Sequence, residues 1–210
     1  MDRRLKRWEI AAMAGVLCAL LCGFWLGEEQ TELAERVIRF HVIANSDSEE
    51  DQALKIQVRD AVLAAAEEFY PQNADLETAR EALSRHLGDL AQTGQSAVEA
   101  AGYSYPVTAS LERCWFPTKE YDGFALPAGE YTALRIVIGA GEGQNWWCVA
   151  FPPLCLGAAS ETVDQAAAAG YFSEEQAALI TQEEQGYVLK FKSMELLGFF
   201  RSLLSRELWN

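Results

Sequence analysis

Residues 36–44, RVIRFHVIA, alternate with a period of two, placing Ile38, Phe40 and Val42 on one face and Val37, Arg39, His41 and Ile43 on the other. That period predicts a strand. Asn45, Ser46, Asp47 and Ser48 supply turn and N-cap residues, with Ser48 and Asp51 at capping-box spacing. The apolar repeat Ala53, Ile56, Val58, Ala61, Leu63 and Ala64 then predicts a helix over 49–69. Pro71 and Asn73 end it, and Asp75 caps a second helix to about residue 101, weakened in its middle by Gly88 and Gly94. Strands follow at 103–116, 131–138 and 146–151. They are separated by Asp122-Gly123, Pro127-Ala128-Gly129 and the glycines of 139–143. Ser160 and Ser173 open two short alanine-rich helical stretches, and 187–191 alternates as a last strand. Ser193 caps a final helix to about residue 206. Its stripe of Leu196, Leu197, Phe200, Leu203 and Leu204 is amphipathic, and Arg201 and Arg206 alone are too few to favour a lipid surface over packing on the sheet. Five strands with helices before and after predict one α+β domain with a mostly antiparallel sheet.

The first 27 residues differ from the rest. Arg3, Arg4, Lys6 and Arg7 precede an apolar run over 10–26, seventeen residues long, which reads as an export signal or anchor with its N-terminus in the cytoplasm. A cleaved signal and a retained anchor are both compatible with it, since no A-x-A site is present. A lipoprotein signal fits poorly, because neither Cys18 nor Cys22 follows the required small residue. Residues 28–35 read as a linker, and 36–210 as the extracytoplasmic domain.

The formal net charge of -14, with 50% apolar and 11% aromatic residues, describes a chain with a real core rather than a disordered acidic tail. Such acidity opposes nucleic-acid binding. Removing residues 1–27 takes four basic and two acidic groups and leaves 13 against 29, a net of -16, which also repels anionic lipid. His41 and His86 are the only histidines, so multi-histidine metal chemistry is not expected, nor is any cofactor.

His41 beside Asn45, Asp47 and Asp51 invites a hydrolase reading, yet no G-x-S-x-G, H-E-x-x-H or D-[TS]-G occurs. The run from Asn45 to Asp51 resembles a calcium loop, but Glu50 stands where the turn needs Gly and Ile56 where the bidentate Glu belongs. Helix capping explains it better. Gly139-Ala140-Gly141-Glu142-Gly143 joins two strands rather than opening a helix, so it reads as a hairpin loop and not a phosphate cradle. The adjacent Trp146 and Trp147 on a strand point to opposite faces, leaving one as a candidate partner anchor. Pro152-Pro153 reverses the chain, so Cys155 can return to Cys148 in a disulfide closing a loop of about eight residues, which stabilises by about 2.5 kcal/mol in the chain-entropy model. Cys114 is left as the odd thiol.

The segments HVIANSDSEEDQ at 41–52, VRD at 58–60, PAGEY at 127–131 and GEGQNWWCVAFPPLC at 141–155 resemble the stage II sporulation protein R family of endospore-forming bacteria. The resemblance spans about 36–156. It implies a developmental signal, made in the forespore, exported to the intermembrane space, and activating a membrane-embedded aspartic protease that processes the mother-cell sigma factor E precursor. No chemistry of its own is then expected. His41, Asn45, Asp47, Asp51, Trp146 and Trp147 become candidate partner contacts. The competing reading is an extracytoplasmic hydrolase or metal-dependent enzyme using His41, Asp47 and Asp51.

Overall fold

The computed structural model describes residues 9–15, 32–71, 74–121, 124–154, 166–168, 170–173, 176–177 and 180–181. The expected Asp122-Gly123 turn, Cys155, the Ser160 helix start, the strand at 187–191, the helix at 193–206 and most of the signal segment lie outside them. Residues 9–15 are helical. Among the described residues no helix is long and apolar enough to cross a membrane.

The elements in chain order are β1 (Ile38–Ile43), α1 (Glu49–Glu68), α2 (Leu76–Arg85), α3 (Leu87–Ala100), β2 (Val107–Phe116), β3 (Lys119–Tyr121), β4 (Phe124–Leu126), β5 (Gly129–Ile138) and β6 (Asn145–Phe151). Four strands form one sheet in the order β2-β5-β1-β6, and β3 and β4 form a separate pair. The α+β expectation stands, but the sheet is mixed. β1 runs antiparallel to β6 yet parallel to β5, with His41 level with Trp147 on one side and with Arg135 on the other. The cause is topological: three helices carry the chain away from the end of β1, and β5 then slots between β1 and β2, antiparallel to β2.

Local chemistry sets the helix ends. Ser48 Oγ accepts from Asp51 N at 3.2 Å to start α1, and Asp75 Oδ1 accepts from Thr78 N at 2.7 Å to start α2. The expected single helix over 75–101 is two, α2 and α3, meeting at His86, whose φ of -106° and ψ of 18° are not helical. Phe69, just past α1, stacks on the His86 ring with centroids 4.2 Å apart, so the break is packed rather than frayed.

Both faces of the sheet are covered. On one face Phe40, Val42, Leu134, Ile136 and Ala150 pack against Leu54, Val58, Val62, Leu83 and Leu90 of the helices. On the other, Val37, Tyr131, Ala133 and Val149 pack with Phe116, Phe124, Leu126 and Leu154. Leu33, within the stretch expected as a linker, is fully buried in this second cluster, so the folded part begins before residue 36.

Candidate functional site

The segment after β1 and the loop between β5 and β6 are knitted together. Asn45 Oδ1 accepts from Ala140 N at 2.9 Å, and its Nδ2 donates to Asp51 Oδ2 at 2.8 Å. Ser46 Oγ donates to the same carboxylate oxygen at 2.6 Å, and Asp47 Oδ1 accepts from Gln144 N at 2.7 Å. Gly143 N and Glu142 N donate to the Ala44 and Asn45 carbonyls at 3.0 and 3.2 Å. Glycine is required where the loops touch: at Gly139, with φ of 59°, a Cβ would run into Asn45 Oδ1, and at Gly143 into the Ser46 carbonyl. Asp51 is buried, and hydrogen bonds from the Ser46 hydroxyl, then Asn45, hold its carboxyl below the usual carboxylate range. Thus the polar cluster at 45–51 works as a junction between two loops as well as a helix cap. Lys55 closes it from α1, donating to Gln52 Oε1 at 2.6 Å and to the Gln144 carbonyl at 3.0 Å.

From this junction β6 carries its two tryptophans to opposite faces, as the period of a strand requires. Trp146, 37% exposed, lies on the helix side, where the Arg59 guanidinium stacks 4.4 Å from its ring centroid. Trp147 lies on the other face, half-buried, with its centroid 5.7 Å from the His41 ring and 5.6 Å from Phe116. Lys119 Nζ stands 4.8 Å over it. His41 Nε2 donates to Asn145 Oδ1 at 2.8 Å, and burial pushes its imidazole below 6.5.

The structure does not bring the hydrolase candidates together. His41 belongs to the face opposite the helices, whereas Asp51 lies on α1 and Asp47 in the junction, each already accepting hydrogen bonds. Among the described residues no group of three His, Cys, Asp or Glu side chains is arranged to hold a metal. Cys148 is buried on β6 and disulfide-bonded, Cys114 is a free thiol, and Cys155, the expected partner of Cys148, lies outside the described residues.

Sequence reasoning missed Arg39. It is fully buried, its guanidinium 4.4 Å from the Phe116 centroid and 5.0 Å from that of Tyr131. Nε donates to the Cys148 carbonyl at 3.0 Å and Nη2 to the Tyr121 hydroxyl at 2.9 Å, which in turn donates to the Trp147 carbonyl at 3.0 Å. Through these bonds Arg39 ties β1 and the β3–β4 pair to β6. The signal in the sequence was partial: Val37 and Ile43 add apolar residues to the second face of β1, so a side chain between them can be drawn into a core on that side, as Arg39 is and the half-buried His41 is only in part.

Comparison with known proteins identifies the family. The sequence profile of the family described as stage II sporulation protein R matches residues 34–161, which include the junction, both tryptophans and Arg39. The stage II sporulation protein R of Bacillus subtilis (strain 168) is 37% identical over 124 residues, covering 59% of this chain and 55% of that protein. The chain therefore matches about half the length of this curated relative. No solved structure matches it. With the profile spanning the sheet, its helices and the junction, the chain belongs to the stage II sporulation protein R family.

Proposed function

We propose that this chain is a non-enzymatic signal of endospore formation, exported from the forespore into the intermembrane space, where it binds a membrane-embedded aspartic protease and switches it on. The activated protease then processes the mother-cell sigma factor E precursor. The observation that carries this reading is family membership over residues 34–161. Supporting it are the basic, apolar N-terminal segment of an exported or anchored chain and the engagement of Asp47 and Asp51 in structural hydrogen bonds. Activation requires that the protein bind the active state of the protease more tightly than the inactive one. The exposed edge of Trp146 and the half-buried His41 and Trp147 are the partner contacts in this reading. Co-expression of the full chain with the candidate protease and the precursor in a host lacking sporulation genes tests it. Precursor cleavage that appears only when the chain is present supports the proposal, and cleavage of equal extent without it refutes it.

Within the same reading Cys148 pairs with Cys155, fastening the end of β6 in an oxidising compartment. Mass spectrometry of non-reduced, exported protein is expected to show the two peptides joined. A bond between Cys148 and any other cysteine contradicts the pairing.

A further inference from the structure

Strand β2 lies at an edge of the main sheet, with β5 on one side of it. The bond from Gly139 N to the Pro106 carbonyl fixes the phase of this ladder. Even-numbered residues of β2 then bond to β5, while Ala109, Leu111, Arg113 and Trp115 turn their N–H and C=O groups outward. Val107 N, in the same phase, donates to Gln95 Oε1 at 3.0 Å. Among the described residues nothing pairs with the outward groups of the rest. Natural sheet edges are commonly short, bulged or guarded by unpaired charge. β2 is 10 residues long and its register on β5 is unbroken. Its two charges, Glu112 and Arg113, are opposite in sign, and each faces a partner on β5, Arg135 at 3.2 Å and Glu130 at 4.0 Å. Trp115, near the end of the strand, is 55% exposed. Beside this edge stands α2, where Arg80, Glu81, Ser84 and Arg85 line a cleft of about 410 Å³ floored by Leu111.

We infer that the β2 edge and α2 together form a two-fold docking surface for a second copy of this chain, whose β2 pairs antiparallel with the first to make one continuous sheet. The charges of α2 are self-complementary. Antiparallel apposition of two copies sets Glu77 against Arg85 and Arg80 against Glu81, twice over, about a centre between Arg80 and Glu81. The strand has a matching centre at Leu111, the floor of the cleft those residues line. In that register Leu111 meets Leu111 of the second copy, Ala109 meets Arg113, and the exposed Trp115 lies level with Val107. Centring on Glu112 or Arg113 instead would set like charges directly opposite each other. The surface is also electrically balanced, Glu77, Glu81, Glu112 and Glu130 being matched by Arg80, Arg85, Arg113 and Arg135. The exported part carries 13 basic against 29 acidic groups, so two copies repel each other over most of their surface and meet here without that cost.

Sedimentation equilibrium of the full chain in a density-matched neutral detergent tests the surface, and a concentration-dependent dimer is expected. Arg113→Pro removes an outward N–H without touching the ladder to β5, and it is expected to weaken the dimer about tenfold or more. The helix is tested separately by two variants at exposed positions, Arg80→Glu with Arg85→Glu, and Glu77→Arg with Glu81→Arg. Each alone sets like charges against like and is expected to be monomeric, whereas an equimolar mixture of the two is expected to restore a dimer. Circular dichroism checks that all variants fold, and Arg113→Pro does not depend on the helix changes. A parent chain that stays monomeric overturns the inference. So does a dimer of unchanged strength in Arg113→Pro and in both helix variants, which would place the association elsewhere, in the N-terminal segment that all of them share. A mixture no more dimeric than its components overturns the apposition of the helices.

Discussion

Asp51 shows how one side chain does two jobs. Its backbone N–H is capped by Ser48, while its carboxylate gathers the Asn45 amide and the Ser46 hydroxyl and so locks the turn after β1 to the loop before β6. Asp51→Ala removes the one carboxylate oxygen that accepts from both and so orphans both donors, and urea unfolding is expected to show a loss of about 2–4 kcal/mol at neutral pH. Because the folded carboxyl titrates below 3.8, the stabilisation is complete above that pH and is lost as pH falls through the lower folded value. The gap between native protein and variant should therefore narrow only under strong acid. His41 behaves oppositely in kind. Burial, helped by Arg135 and Arg39 and opposed by the Asn145 bond and Glu112, depresses its pKa below 6.5. Protonation then favours the unfolded chain, so stability is full above 6.5 and falls as pH drops toward the folded pKa. His41→Gln is expected to flatten this part of the stability profile, and an unchanged slope below pH 6.5 would show that His41 is not its source.

At the scale of elements, two glycines on the same helix separate propensity from packing. A Cβ at Gly88, in the first turn of α3, meets nothing within 4 Å, so Gly88→Ala is expected to stabilise by about 0.5–1 kcal/mol through the unfolded chain. At Gly94 the same Cβ would lie 2.9 Å from Val107 and 3.4 Å from both Val58 and Val62, where α3 crosses α1 and β2. Gly94→Ala is expected to cost about 1–3 kcal/mol by overpacking. Thermal unfolding distinguishes the two, and equal shifts would show that helix propensity alone governs α3. The same contrast explains what could be read in advance. β1, α1, β5 and β6 announce themselves through period, caps and turn glycines that act locally. β3 and β4, three residues each, are too short to show a period, and they exist because Phe124 and Leu126 are buried under the sheet. The parallel pairing of β1 with β5 joins segments far apart in sequence, and no local pattern encodes it. Asn45, Asp47 and Asp51 stood out as polar candidates, but their role in joining two loops depends on Ala140 and Gln144, about a hundred residues away. Arg39 was hidden for a different reason, because an arginine ordinarily lies at the surface.

On the scale of the whole molecule, the helices cover one face of the sheet, and the other carries a second apolar cluster whose neighbour is the His41, Trp147 and Lys119 surface. Phe116 stands between the two, 1% exposed and touching His41, Tyr131 and Trp147. Phe116→Ala is expected to cost about 3–5 kcal/mol, read by urea unfolding, and a loss under about 1 kcal/mol would mean that this cluster does not hold the face together. In the proposed function the junction at 45–51 positions β6, β6 presents its tryptophans, and the signal passes by binding alone outside the cytoplasmic membrane. The most direct measurement is precursor cleavage in a host lacking sporulation genes, comparing the full chain with a version lacking residues 1–27 that stays in the cytoplasm. The account predicts cleavage with the full chain and none with the shortened one, both being produced at equal level. Equal cleavage by the cytoplasmic version would contradict it.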